Sequence, residues 1–146
     1  LLLKWKSAAP FTPQPIVFKS QKKTNYGVIA IGSSDGAVRE ACINLEKQGV
    51  YIDYMRIRSF PFADSVEEFI IEHDLVFIVE QNRDAQLMNL LLTETNVPRE
   101  NLVSVKYYAG QPLNYKLVHL TAYSYSPSTS FELSGRLNCT ISKLSL

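Results

Sequence analysis

The sequence predicts an α/β fold, a mainly parallel sheet with helices on both of its faces, and three observations carry that prediction. From Gly27 onward, short apolar runs alternate with segments whose apolar residues recur at helical spacing. The connecting segments are long enough to hold the crossover that each parallel strand pair requires. Runs such as "VIAI" and "LVFIV" are continuously apolar, the pattern of strands covered on both sides. Right-handed crossovers are expected throughout.

The elements follow in order. Ile16 to Ser20 reads as a short edge strand, the turn "QKKTN" follows, and the apolar run from Tyr26 to Gly32 comes next. Turn residues between two β-prone runs predict a hairpin. Within the second run, Val28 to Ile31 is a strand that ends in "GSSDG". The helix beyond it places Val38, Ala41, Cys42 and Leu45 on one face, with Ser34 or Asp35 as its N-cap and Gly49 closing it. Tyr51 to Ile57 is the next strand. After "SFPFAD", Asp64 and Glu67 have the spacing of a capping box that opens a helix facing inward through Val66, Phe69 and Ile70. A strand from Leu75 to Val79, a helix with Leu87, Met88, Leu91 and Leu92 on one side, and a strand from Leu102 to Val105 complete the pattern.

The domain plan that follows is a linker over residues 1–15, a layered domain over 16–117 and an irregular tail over 118–146. Pro10, Pro13 and Pro15 exclude helix from the lead-in and favour an extended connector. Beyond Val118 the period fades, and "YSYSPSTS" reads as loop or weak strand. The chain does not begin with Met, so a piece of a longer protein is expected.

At 146 residues and 46% apolar content, one packed core is expected. Fifteen Lys and Arg balance fourteen Asp and Glu, which argues against nucleic acid, anionic membrane or strongly acidic partners. Cys42 and Cys139 stand in no CxxC or Cys/His cluster, so zinc and iron-sulfur spacings are missing and two reduced thiols in a cytoplasmic protein are expected. No apolar run approaches the roughly 20 residues that span a bilayer.

Several places hold residues suited to chemistry. "GSSDG" lies at a strand-to-helix turn suited to an anion, but it lacks both GxGxxG and the Gly-Lys-Ser/Thr of a phosphate loop, and a plain N-cap competes with it. Asp53 stands at about the right distance for a ribose-binding acid, yet inside a strand. His73 fits the last turn of a helix, where it would favour the helix dipole. His119, Ser33, Ser34 and Cys42 carry no local signature of an activated nucleophile.

The strongest candidate is "VFIVEQNRDAQL", because a buried strand runs directly into Glu80, Gln81, Asn82, Arg83 and Asp84. Ligands of open parallel sheets bind beyond the carboxyl ends of strands. The competing reading is structural: Asp84 caps the next helix, Glu80 pairs with Arg83, and Gln81 and Asn82 satisfy loop amides.

The stretches "GVIAIGSSDGAVREACINLEKQGVYIDYMRIRSFPF", "HDLVFIVEQNRDAQLMNLL" and "YYAGQPL" resemble, in order and spacing, the C-terminal part of the alpha subunit of 2-oxoacid:ferredoxin oxidoreductases. The 2-oxoglutarate type, with gamma and alpha portions fused, is the most similar. The resemblance covers Gly27 to about Leu113 and is most specific in "RSFPF" and "VEQNRDAQ". It implies a transketolase C-terminal-like domain, three layers α/β/α around a five-stranded, mostly parallel sheet whose one antiparallel edge strand comes first. Enzymes of this family oxidatively decarboxylate a 2-oxoacid to an acyl-CoA with thiamine diphosphate, magnesium and iron-sulfur clusters, and pass the electrons to ferredoxin. The resemblance places those cofactors in other domains and subunits, so no catalytic, cofactor or metal residue is carried over. It implies contacts with those neighbours, and no nucleic acid or membrane partner.

Two functions of different class follow: a non-catalytic contact domain of such an oxidoreductase, or a free-standing nucleotide or anion-binding module. A small hydrolase is a third, with no visible nucleophile and base. The interface or anion-contact candidates are Ser33, Ser34, Arg58, Phe60, Glu80, Gln81, Asn82, Arg83 and Gln86.

Overall fold

The computed structural model describes residues 7–125. In chain order they form β1 (Ile16–Phe18), β2 (Tyr26–Ile31), α1 (Asp35–Lys47), β3 (Asp53–Ile57), α2 (Asp64–Ile71), β4 (Leu75–Glu80), α3 (Gln86–Glu94), β5 (Leu102–Lys106) and α4 (Tyr115–Ser124). Short 3-10 turns precede β1 at Ala9–Phe11, α1 at Gly32–Ser34 and β5 at Arg99–Asn101. The strands make one sheet in the order β1-β3-β2-β4-β5, antiparallel only between β1 and β3.

Side chains of successive strand residues point to opposite faces, and this sorts the core into two halves. Val28, Ala30, Tyr54, Phe77 and Val79 face one layer together with Val38, Ala41 and Leu45 of α1 and Leu117, Val118 and Ala122 of α4. Ile29, Met55, Ile57, Val76 and Ile78 face the other with Val66, Phe69 and Ile70 of α2 and Leu87, Met88 and Leu91 of α3. The result is the expected three-layer α/β/α arrangement. The end of α1 also forms as expected: Gly49 takes φ +80°, its N–H bonds Glu46 O, and the N–H of Val50 bonds Leu45 O.

Several local expectations are corrected. β1 does not form a hairpin with β2; it pairs with β3, Ile16 opposite Arg56 and Phe18 opposite Tyr54. The reason is that β2 is central, with both edges taken by β3 and β4. Residues 19–25 instead cross the start of β3, held by Thr24 Oγ1 donating to Tyr51 O at 2.6 Å. The lead-in carries a 3-10 turn at Ala9–Phe11 rather than a wholly extended run.

The expected loop or weak strand after Val118 is helical through Ser124, since α4 places Leu117, Val118, Thr121 and Ala122 against the core. Asn114 opens it by accepting from Lys116 N. Residues 126–146, with the rest of the expected tail and Cys139, lie outside the described residues, as do 1–6. Asp64 and Glu67 form no capping box; Ala63 is the N-cap of α2 and makes no side-chain cap bond.

At Gly27 the sheet comes close to α2 and to His73 beyond it. A Cβ there would sit 2.8 Å from Phe69 Cε1 and 3.3 Å from His73 Cγ, and both rings are buried. Gly27→Ala is expected to cost about 2 kcal/mol through overpacking, read as a lower urea midpoint. Adding Phe69→Leu should recover part of that loss, because the two positions share one contact.

Candidate functional site

The crossover from β2 to β3 runs through α1 on one face, whereas α2 carries the chain from β3 back to β4 on the other. The turns that follow β2 and β4 therefore diverge between two adjacent parallel strands, the switch point where ligand crevices form in such sheets. The turns after β3 and β5 end on the same edge. Ser33, Ser34, Arg58, Phe60, Glu80, Gln81, Asn82, Arg83 and Gln86 all lie along it.

Glu80 is the organising residue of this edge. It is 2% exposed and its side chain points to the α2–α3 layer. Glu80 Oε2 accepts from Leu87 N at 2.8 Å and from Asn82 Nδ2 at 2.6 Å, and Oε1 accepts from Met88 N at 3.3 Å. Asn82 Oδ1 accepts from Gln86 N and Asp84 N, each at 3.1 Å. The first three amides of α3 are thus satisfied by two side chains delivered from the end of β4. A carboxylate also complements the positive end of the helix. A burial cost is offset here by charge-assisted hydrogen bonds.

This replaces two expected roles. Arg83 pairs with Asp84 at 2.8 Å and not with Glu80. Asp84 does not cap α3; the N-cap is Ala85, which makes no side-chain bond and takes φ +52° and ψ +47°. A left-handed alanine is disfavoured by its Cβ, so Ala85→Gly is expected to stabilise by about 0.5 kcal/mol, seen as a small rise in melting temperature.

Across the switch point, Gln81 Nε2 donates to Ser33 Oγ at 3.2 Å and to Ser34 Oγ at 3.3 Å. Gln81 therefore bonds two hydroxyls rather than loop amides. Neither Ser34 nor Asp35 caps α1 through its side chain. Asp35 accepts instead from Tyr54 Oη at 2.9 Å and lies 3.4 Å from Arg56 Nη1, which holds a carboxylate in the first turn of α1. Burial, then the bond to Asp35, pushes the Tyr54 phenol well above its usual range. A groove of about 570 Å³ opens beside Ser33 and Gln81, walled by Tyr107, Tyr108, Gly110, Gln111 and Pro112. Its outer wall was not foreseen; the signal available was the aromatic pair in "YYAGQP" directly after a strand.

Arg58 and Phe60 follow β3. Arg58 is exposed, Phe60 packs edge-on against Phe62 at 5.2 Å, and Ser59 Oγ donates to Pro13 O at 2.8 Å. Burial pushes the Cys42 thiol up to about 12, with Glu46 adding to the effect, which disfavours the thiolate.

A second polar cluster, also unforeseen, lies at the opposite edge. Asp53 begins β3 and is buried; Oδ1 accepts from Ser20 N at 2.9 Å and Oδ2 is 2.9 Å from Lys19 Nζ. His73, 2% exposed, lies just beyond α2 and not in its last turn. Its Nδ1 donates to Phe69 O at 2.6 Å, and Nε2 stands 3.3 Å from Asp53 Oδ2. Ser20 Oγ is 3.0 Å from Asp53 Oδ1. The carboxylate thus sits between hydroxyl and ring, so the ring is not placed to take the serine proton, and this is no nucleophile–base pair. Burial raises the Asp53 carboxyl, but the Ser20 amide, Lys19 and the Ser20 hydroxyl outweigh it and hold the group below its usual range.

Among the described residues there is no group of three or more His, Cys, Asp or Glu that could hold a metal ion. No helix among them is long and apolar enough to cross a membrane.

Comparison with known proteins gives the fold an address. No protein-family model matches the sequence, and no curated protein sequence is significantly similar. Among solved structures, the chain superposes on a 2-oxoglutarate:ferredoxin oxidoreductase from Magnetococcus marinus, determined with 2-oxoglutarate, coenzyme A and succinyl-CoA bound. The TM-score is 0.72 at 21% identity, covering 82% of this chain and 21% of that one. It also superposes on the alpha chain of a probable 2-oxoacid ferredoxin oxidoreductase from Thermoplasma acidophilum, with a TM-score of 0.50 at 19% identity, covering 76% of this chain and 95% of that one. The chain thus spans about a fifth of the first of these proteins, and its fold is that of a layered domain found in 2-oxoacid:ferredoxin oxidoreductases.

Proposed function

We propose that this chain is a non-catalytic, subunit-contact domain of a thiamine-dependent 2-oxoacid:ferredoxin oxidoreductase, from the alpha subunit and of the 2-oxoglutarate type. The observation that carries the proposal is the superposition over 82% of the chain, beside the resemblance read from the ordered motifs "RSFPF" and "VEQNRDAQ". Residues 1–15 serve as the connector from a preceding domain, and the whole enzyme works in the cytoplasm with ferredoxin as electron acceptor.

Among the described residues no group of three or more His, Cys, Asp or Glu could hold a metal ion, and Glu80 and Asn82 are committed to α3. The reading assigns no step of the oxidation to this chain and leaves thiamine diphosphate, magnesium and the clusters to its partners. Asp35 in the first turn of α1 and the occupied amides of α3 weigh against the nucleotide or anion-binding alternative.

In this reading the turns after β3 and β4 meet neighbouring subunits, and Arg83, exposed and tied only to an exposed Asp84, is free to exchange that pair for a partner. Such surface pairs contribute little to the fold, so Arg83→Ala is a clean probe. The test is reconstitution with the remaining oxidoreductase chains from the same source. Arg83→Ala is expected to weaken assembly about tenfold while leaving the melting temperature unchanged. Unchanged assembly and unchanged 2-oxoacid oxidation would remove Arg83 from the interface.

A further inference from the structure

We propose that the switch-point groove docks an extended, uncharged polypeptide segment of a partner chain, bound through that segment's backbone carbonyls. The inference rests on the contact-domain reading and specifies the chemistry of what is contacted.

Charge is the first argument. The groove is lined by Ser33, Gln81, Tyr107, Tyr108, Gly110, Gln111 and Pro112, none of which is charged at neutral pH. The lining has no formal charge of its own, and the Arg83 charge that reaches Tyr108 is already paired with Asp84, so desolvating a phosphate, a carboxylate or an ammonium group against it is costly. Of the helix ends that usually hold anions at a switch point, that of α3 is filled by Glu80 and Asn82, and that of α1 carries the Asp35 carboxylate in its first turn.

Proton directionality is the second. The amide nitrogen of Gln81 has two hydrogens and gives them to Ser33 Oγ and Ser34 Oγ. Each hydroxyl is thereby made an acceptor toward Gln81, and its own proton remains to be donated. Ser33 is exposed at the groove, so it presents a donor, while the Gln111 amide and the two phenols can donate or accept. The hydroxyl suits a neutral acceptor such as the backbone carbonyl of an extended segment.

Shape is the third. Tyr107, Tyr108 and Pro112 supply flat, rigid walls with polar tips, and Tyr108 remains 41% exposed. Tyrosine, serine, glycine and glutamine around an open groove are the residues that bind peptides at low entropic cost. About 570 Å³ accommodates a short run of extended chain.

The test is panning of a phage-displayed random peptide library on the full chain, followed by titration of selected synthetic peptides into the chain and into Gln81→Ala and Tyr108→Ala. Both substitutions fall on exposed side chains, and unchanged melting curves certify folding. Enriched sequences are expected to be poor in Asp, Glu, Lys and Arg, and each substitution is expected to weaken binding about tenfold. Enrichment of charged sequences, no enrichment, or affinities indifferent to both substitutions would overturn the proposal. If peptides bind the groove but no oxidoreductase chain assembles with the protein, the groove stands and the contact-domain reading falls. If the complex assembles and the groove takes no peptide, the reverse holds.

Discussion

Glu80→Ala is expected to destabilise the chain by about 3 kcal/mol, the largest effect of any single truncation of the polar edge. The carboxylate is buried between β4 and α3, and its removal strands the amides of Leu87 and Met88 and the side-chain amide of Asn82. Asn82 is only half-buried and can turn to water; the two helix amides are buried and cannot. Glu80→Gln retains one acceptor oxygen but brings an NH₂ toward amides that are themselves donors, so about half of the loss is expected. Denaturant midpoints give the magnitudes. Hydrogen exchange locates the effect: Leu87 and Met88 should lose protection before the rest of the sheet.

Asp53→Ala ranks second, at about 2 kcal/mol, measured at neutral pH by urea unfolding. It frees the amide and hydroxyl of Ser20 from the carboxylate that holds them, which loosens the loop that carries the chain from β1 past β3 to β2. Lys19, more than half exposed, returns to water, so Lys19→Ala alone should cost under about 1 kcal/mol. The folded Asp53 carboxyl lies below its ordinary value, so the native state binds fewer protons than the unfolded chain. The stabilisation is fully present above about pH 4, the ordinary aspartate value, and is lost as pH falls through the lower folded one. The parent chain should lose stability over that window, and Asp53→Ala should show a shallower acid limb.

The sandwich of layers was legible because continuous strands and amphipathic helices advertise themselves: the residues named as inward on the first three helices lie on the buried side, with Cys42 and Leu92 only partly covered. What escaped was non-local. Nothing in "IVFKS" says that the edge it meets belongs to a strand 35 or so residues away; that followed from β2 having no free edge. α4 was obscured because Thr121 occupies its buried stripe. That hydroxyl is satisfied by donating to Leu117 O, an i to i−4 bond that a hydrophobic pattern does not reveal.

The candidate site was half legible. The strand-end polarity drew attention to the turn after β4, yet its bonds fall to other residues than the sequence suggests. A left-handed Ala85, where glycine or asparagine is the usual choice, rotates the start of α3 so that its amides face Glu80 rather than Asp84. Asp53 and His73 stand 20 residues apart, and only the folded sheet brings them together.

Hydrogen–deuterium exchange on the chain, alone and then assembled with the thiamine-binding and cluster-bearing subunits of the oxidoreductase from the same source, tests the contact-domain reading most directly. Protection is expected in the turns at Gly32–Asp35, Arg58–Phe62 and Gln81–Gln86 and in the groove wall at Tyr107–Pro112, with the Asp53 edge unchanged. Failure to associate, or protection confined to the Asp53 edge, would contradict it.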